Sequence, residues 1–283
     1  MQKHSWHFEA IGTKWSIDTL DVLHDEVKAR ITSLIEDFDR TYSRFRDDSL
    51  VSEIAVKTGE YDFPENAGLL IEFYKRLYTA TDGAVSPLVG NILSDAGYDK
   101  DYSLQPGSTT KAPVWDDAFV WHETHVTTKL PVLIDFGAAG KGYLVDIISR
   151  YLDGYGLNQY TIDGSGDMHV RGHSEIIGLE NPYDATMVIG TAAVENESLC
   201  ASAVNRRAWG DWHHVIDPRT GQPTREIVAT WVVAPTTLEA DGLATALFFV
   251  GPDNLSAWKF TYVRLFADGH IEHSPNFVGE LYI

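Results

Sequence analysis

Cysteine is almost missing from this chain of 283 residues: Cys200 is the only one. No internal disulfide can form, and no cysteine-based zinc site is available. Cys200 lies in the apolar run SLCASAV, which predicts a small buried side chain rather than a nucleophile. Positive charge is scarce as well. Lys and Arg number 22 against 41 Asp and Glu, a formal net charge of -19. Such a field repels phosphate backbones and anionic lipid, so no nucleic acid or membrane surface is expected as a partner. An anionic nucleotide would have to be met locally, by lysines, a helix N-terminus or a metal ion. No apolar run approaches a membrane span, so no integral membrane segment is expected. The first residues, MQKHSWHFEAIGTKW, carry no apolar export region, cleavage site or lipid-attachment cysteine. The chain as it stands reads as cytoplasmic; an extracytoplasmic protein lacking its export signal would read the same way. Low-complexity stretches are absent too, which argues against disorder.

What is present is ordinary globular material. Hydrophobic residues make up 44% of the chain, enough for a substantial core. No linker is rich enough in Gly, Ser or Pro to mark a boundary, so a single domain over 1–283 is expected. Strand-like sequence runs from Phe8 to Ile17. Val27, Ile31, Leu34, Ile35 and Phe38 recur at helical spacing within 21–44, and Leu69, Leu70, Phe73, Leu77 and Tyr78 in a second helix ending at Thr81-Asp82-Gly83. Residues 99–118 read as a surface connection. LPVLIDF (130–136) reads as a buried strand leading through GAAGKG into a helix from about Tyr143 to Leu152. ATMVIGTAAV and IVATWVVAP read as strands, LEADGLATALFFVG as a helix, and FTYVRLFADGHIEH as a hairpin turning at Asp268-Gly269. The irregular alternation predicts an α+β or mixed architecture.

Three segments have the composition of a chemical site. In DFGAAGKGYLVD (135–146) a glycine turn opens a helix with Lys141 at its start, an arrangement that suits phosphate. It is not a Walker A loop, and it also fits a corner where glycines merely relieve close packing. In ADGLAT (240–245), Asp241 and Thr245 stand one helical turn apart, a carboxylate and a hydroxyl suited to magnesium. An N-cap Asp followed by a core threonine would look the same. In WHHVIDPRTGQP (212–223), two histidines precede a tight turn, and one of them is a candidate general base. A hydrogen-bonded scaffold histidine is the simpler reading there.

Taken together and in order, these segments resemble the FAD:protein FMN transferase (ApbE-like) family. The resemblance runs through AIGTKW (10–15), TYSRFRDDSLVSEI (41–54), TDGAVSPLVGNILSDAGY (81–98), LIDFGAAGKGYLVD, IDGSGDM (162–168), HVIDPRTGQP and ADGLATALFFVG (240–251). It implies an α+β fold in which two similar lobes of the T-fold type clasp one FAD. It also implies magnesium-dependent attack on the FAD pyrophosphate, with AMP released and FMN joined to a Thr or Ser of an acceptor protein. Some relatives use water instead, as FAD pyrophosphatases; a flavin-binding protein without turnover is the remaining alternative.

Carried over by motif, the resemblance assigns Asp135 and Lys141 to FAD and the Ala138 carbonyl, Asp241 and Thr245 to magnesium. Ile11, Phe45, Ala84, Val85, Ser86 and Val215 fall at positions lining the flavin nucleotide. His214 matches the histidine that activates the acceptor hydroxyl, whereas His213, pointing to the opposite side of an extended segment, should be a packing or surface residue. Four positions depart from the family pattern: Ile11 stands for methionine, Ser86 for aspartate, Ala201 for the threonine of a Thr-Ser pair that leaves Ser202, and Ser165 for a glycine.

Overall fold

The computed structural model describes residues 3–282. Its framework is an eight-stranded antiparallel sheet with the strands in the order 4–10, 13–19, 160–163, 167–171, 198–203, 227–234, 261–266 and 271–273. Four of the strands fall within residues 4–171 and four within 198–273, and the two sets join where Asp167–Arg171 pairs with Ser198–Ala203, with His169 opposite Ser198. This is a mixed helix-and-sheet fold in keeping with the expected pairing of two lobes.

The sheet is covered on both faces, which explains the continuous apolar run of its central strand. Along Ile227–Ala234, side chains alternate between two cores. Ala229, Trp231 and Val233 face a smaller sheet of strands Ser174–Asn181, Asp184–Glu195 and Gly279–Leu281. Val232 and Ala234 face the helices Asp25–Tyr42, Ala67–Ala80, Gly140–Tyr155 and Thr237–Ala246. Thr230 also faces the helices, its hydroxyl donating to the Ala244 carbonyl at 2.7 Å. Cys200 is buried on the helix side of the next strand, as its apolar setting predicts.

Two segments differ from their expected form. Phe8 to Ile17 is not one strand but the middle of a hairpin, His4–Ala10 with Thr13–Thr19, turning at Ile11 (φ 43°) and Gly12 (φ 73°). A β-branched residue at positive φ is uncommon, which hides this turn from propensity. LPVLIDF is half-buried at Leu130 and Leu133 and exposed at Pro131, with Val132, Ile134 and Phe136 in the core, but joins no ladder. Its polar groups are satisfied elsewhere: Leu133 N–H donates to Asn91 Oδ1 at 2.9 Å and Asp135 N–H to the Pro87 carbonyl at 2.8 Å. Burial without a sheet leaves the same apolar signature as a strand. The connection after Asp99 has no regular structure until the short helix Trp115–Ala118, where Trp115 is buried.

Candidate active site

A cleft of about 720 Å³ opens where the hairpin turn at Ile11, the segment after the helix Asp25–Tyr42, the start of Gly140–Tyr155, the 201–218 region and the helix Thr237–Ala246 converge. Every site residue expected from the sequence lines it: Ile11, Phe45, Ala84, Val85, Ser86, Asp135, Ala138, Lys141, His214, Val215, Asp241 and Thr245.

Two helices must approach closely to build its floor. Gly142 makes this close approach possible: a Cβ there would come 2.2 Å from the Thr237 carbonyl oxygen and 2.7 Å from Asp241 Cβ. Without a side chain, Gly142 N–H donates to Asp241 Oδ2 at 2.9 Å. Asp146 completes the joint, its carboxylate accepting from Thr237 and Leu238 N–H, each at 2.9 Å. The packing reading therefore holds for Gly142, whose close approach also delivers a carboxylate to the helix start. Asp241 is no N-cap, since Thr236 fills that role by accepting from Glu239 N–H at 3.2 Å. Thr245 does not bond back along its own helix; its hydroxyl donates to the Ala138 carbonyl at 3.3 Å.

Three hard oxygen donors thus share one part of the cleft. Burial, followed by the Asp167 carboxylate, pushes the Asp241 carboxyl well above the ordinary carboxylate range. Lys141 forms an ion pair with Asp167, which is fully buried. Burial pulls the lysine down, but Asp167 and Asp241 outweigh it and its pKa is raised. Asp167 Oδ1 has no partner among the described residues. Ionised together, these two buried carboxylates would leave a negative charge that one lysine cannot balance. The donor set and this charge fit a small hard cation.

The other part of the cleft is aromatic and cationic. Phe45 stacks on Tyr102 with ring centroids 5.5 Å apart and meets Tyr98 edge-on at 5.4 Å. The guanidinium carbons of Arg44 and Arg207 lie 4.9 Å and 5.6 Å from the Tyr98 ring centroid. Arg44 also pairs with Asp135.

The two histidines divide as the extended segment requires. His213 is buried, its Nε2 bonding the Thr224 carbonyl at 2.7 Å and its Nδ1 accepting from Val215 N–H at 3.3 Å. It is the scaffold residue. His214 lines the cleft and its Nδ1 has no partner among the described residues. Burial, with Arg207 next, lowers its pKa to about 3, so the imidazole is neutral at physiological pH.

Two of the four departures, Ser86 and Ser165, have local explanations. Ser86 accepts from Leu88 N–H at 3.2 Å, the same capping bond an aspartate would make. Ser165 sits at φ 63°, a conformation where glycine carries no steric penalty. Ala201 and Ser202 line the cleft. Sequence reasoning missed Arg44, Asp167, Tyr98, Tyr102 and Arg207 as site residues. Arg44 and Asp167 stood inside quoted motifs, and Arg206-Arg207 is the only Arg-Arg pair in a chain poor in cations.

Comparison with known proteins places these features in a family. The chain is 25% identical over 274 residues to the FAD:protein FMN transferase of Klebsiella pneumoniae (strain 342), covering 87% of this chain and 78% of that one. It is 26% identical over 282 residues to the FAD:protein FMN transferase of Haemophilus influenzae, covering 87% and 80%. The fold matches the ApbE protein of Thermotoga maritima with a TM-score of 0.84 at 22% identity, over 97% of each chain. It matches the flavin transferase ApbE from Vibrio cholerae with a TM-score of 0.76 at 18% identity, over 98% of each chain. The ApbE family model matches residues 11–261, and the chain belongs to the ApbE family.

Proposed function

We propose that the cleft binds FAD and that the chain is a flavin transferase, moving FMN from FAD to a Thr or Ser hydroxyl of an acceptor protein. The observation that carries this reading is convergence: residues chosen from motifs far apart in sequence all line one cleft. The cleft has an aromatic part suited to a flat ring and an oxygen-donor part suited to a metal-bound pyrophosphate.

The acceptor hydroxyl oxygen bonds to the FMN-side phosphorus, the bond to the bridging oxygen breaks, and AMP leaves with that oxygen. Neutral His214 takes the hydroxyl proton. Lys141, at the start of its helix, offers positive charge to the phosphates. Asp241, Thr245 and the Ala138 carbonyl would hold Mg2+, which when bound supplies charge neutralisation to the pyrophosphate oxygens. Phosphoryl transfer needs positioning and charge neutralisation more than a covalent enzyme intermediate, and none is required of this chain.

The experiment is mass spectrometry of a candidate acceptor after incubation with the protein, FAD and Mg2+. The acceptor gains the mass of an FMN group and loses it when its Thr or Ser is replaced. FMN and AMP appearing in solution with every acceptor unmodified would make the chain a pyrophosphatase instead. Among the described residues no helix is long and apolar enough to cross a membrane.

A further inference from the structure

Arg44 is a cleft residue that this mechanism leaves unused. Its side chain is only 2% exposed, and its Nε donates to Asp135 Oδ2. The guanidinium carbon lies 4.2 Å from the Phe45 ring centroid and 4.9 Å from that of Tyr98, so stacking fixes its plane. Nη2 is buried and has no acceptor among the described residues. A buried guanidinium nitrogen left unpaired is unfavourable unless a ligand completes it. Asp135 is fixed as firmly. Its Oδ1 accepts from Gly137 N–H at 2.6 Å, at a position where any Cβ would come 2.7 Å from that oxygen.

Arg44 and Asp135 balance each other in charge, which makes the pair a poor reader of phosphate and leaves that task to Lys141. What the pair presents is a row of N–H donors beside a carboxylate acceptor, against an aromatic ring. The complement is an imide edge, CO–NH–CO, on a flat ring. One carbonyl accepts an arginine N–H, and the imide N–H donates to a remaining lone pair of the carboxylate. We infer that Arg44, together with Asp135, reads the imide edge of the isoalloxazine while Phe45 meets the ring, making Arg44 a specificity-determining residue of the cleft. The inference rests on the FAD reading above. Adenine has an amino group beside a ring nitrogen but no imide, and is the competing occupant.

The test measures binding with EDTA present to prevent turnover. The unaltered protein is titrated with FAD and with FAD methylated at N3 of the isoalloxazine, and then with AMP. Methylation removes the imide N–H and should weaken binding about ten-fold or more. Arg44→Lys and Arg44→Met should weaken FAD binding by about 10–100-fold and leave AMP binding unchanged. In Arg44→Met the methyl group should cost less than in the unaltered protein, because the two contacts belong to one edge. The methylated ligand needs no variant to fold, so it stands even if Arg44→Met does not. Equal binding of FAD and its N3-methyl form overturns the inference while sparing the FAD reading. A loss confined to AMP in Arg44→Lys assigns the pair to adenine and also overturns it. No FAD binding by the unaltered protein overturns both.

Discussion

The two parts of the cleft are built from contrasting side chains. Around Asp241, oxygen donors and carboxylates gather where two helices packed closely at Gly142 meet the strand that carries Asp167, with Lys141 as the counter-charge. Around Tyr98, two guanidiniums gather with the stacked rings of Phe45 and Tyr102, both of which meet Tyr98 edge-on. Burying uncompensated carboxylates is unfavourable in the free protein, and the site is therefore strained toward a cation. In the aromatic part Asp135 pairs with Arg44 and balances its charge, leaving the buried Arg44 Nη2 without an acceptor among the described residues. The contrast teaches a division of labour. On the proposed function, one part would discriminate mainly in the transition state, where charge develops, and the other would bind the substrate before any bond changes.

Breaking the oxygen part should have the largest effect. Asp241→Ala should reduce Mg2+-dependent AMP release to background while FAD affinity changes only a few-fold, as read by AMP assay and FAD titration. The same carboxyl gives a stability signature. Its pKa in the folded protein is raised above the ordinary 3.8. The folded state therefore keeps a proton that the unfolded state releases, and stability present below about pH 3.8 is lost as pH rises toward the raised value. Metal-free Asp241→Asn should consequently melt higher than the unaltered protein at neutral pH, by about 2 °C or more. A lower Tm would contradict the burial conflict.

The histidine pair sharpens the comparison next. His214→Asn should slow flavinylation by about 10²–10⁴-fold with FAD affinity intact. His213→Asn should alter the rate little but cost about 1–3 kcal/mol of stability, because it strands the Thr224 carbonyl and Val215 N–H. Paired flavinylation rates and urea melts separate the two roles. Equal rate losses would refute the assignment.

These contrasts were only partly legible in the sequence. The helix Asp25–Tyr42 was readable because Val27, Ile31 and Phe38 bury one stripe. The segment 130–136 was misread because apolar content reports burial, not ladder bonding. Asp241 and Thr245 could be placed on one helical face, but not the Ala138 carbonyl that Thr245 meets 107 residues away. Arg44 escaped notice for the same reason: its partner Asp135 lies 91 residues on, and only the fold joins them. Motif order supplied what local physics left open between a site and a packing corner.

Smaller effects belong to the aromatic part and to acid stability. Phe45→Ala should raise the FAD Kd by about ten-fold with the single-turnover rate at saturation nearly unchanged, since stacking acts equally before and during the reaction. His214 should show the opposite pH slope to Asp241. Its pKa falls from 6.5 unfolded to about 3 folded, so the unfolded state binds more protons and stability declines as pH drops through that window. His214→Asn should flatten that acid limb in thermal melts, leaving the smaller contribution of His213, whose pKa burial also lowers.

The most direct test of the divided cleft is a crystal structure with FAD and Mn2+ bound to Asp241-intact, His214→Gly protein, read by anomalous scattering. The account predicts one manganese peak coordinated by Asp241, Thr245 and the Ala138 carbonyl at the FAD pyrophosphate, with the isoalloxazine against Phe45. Manganese elsewhere, or FAD bound with its flavin away from Phe45 and Arg44, would contradict it.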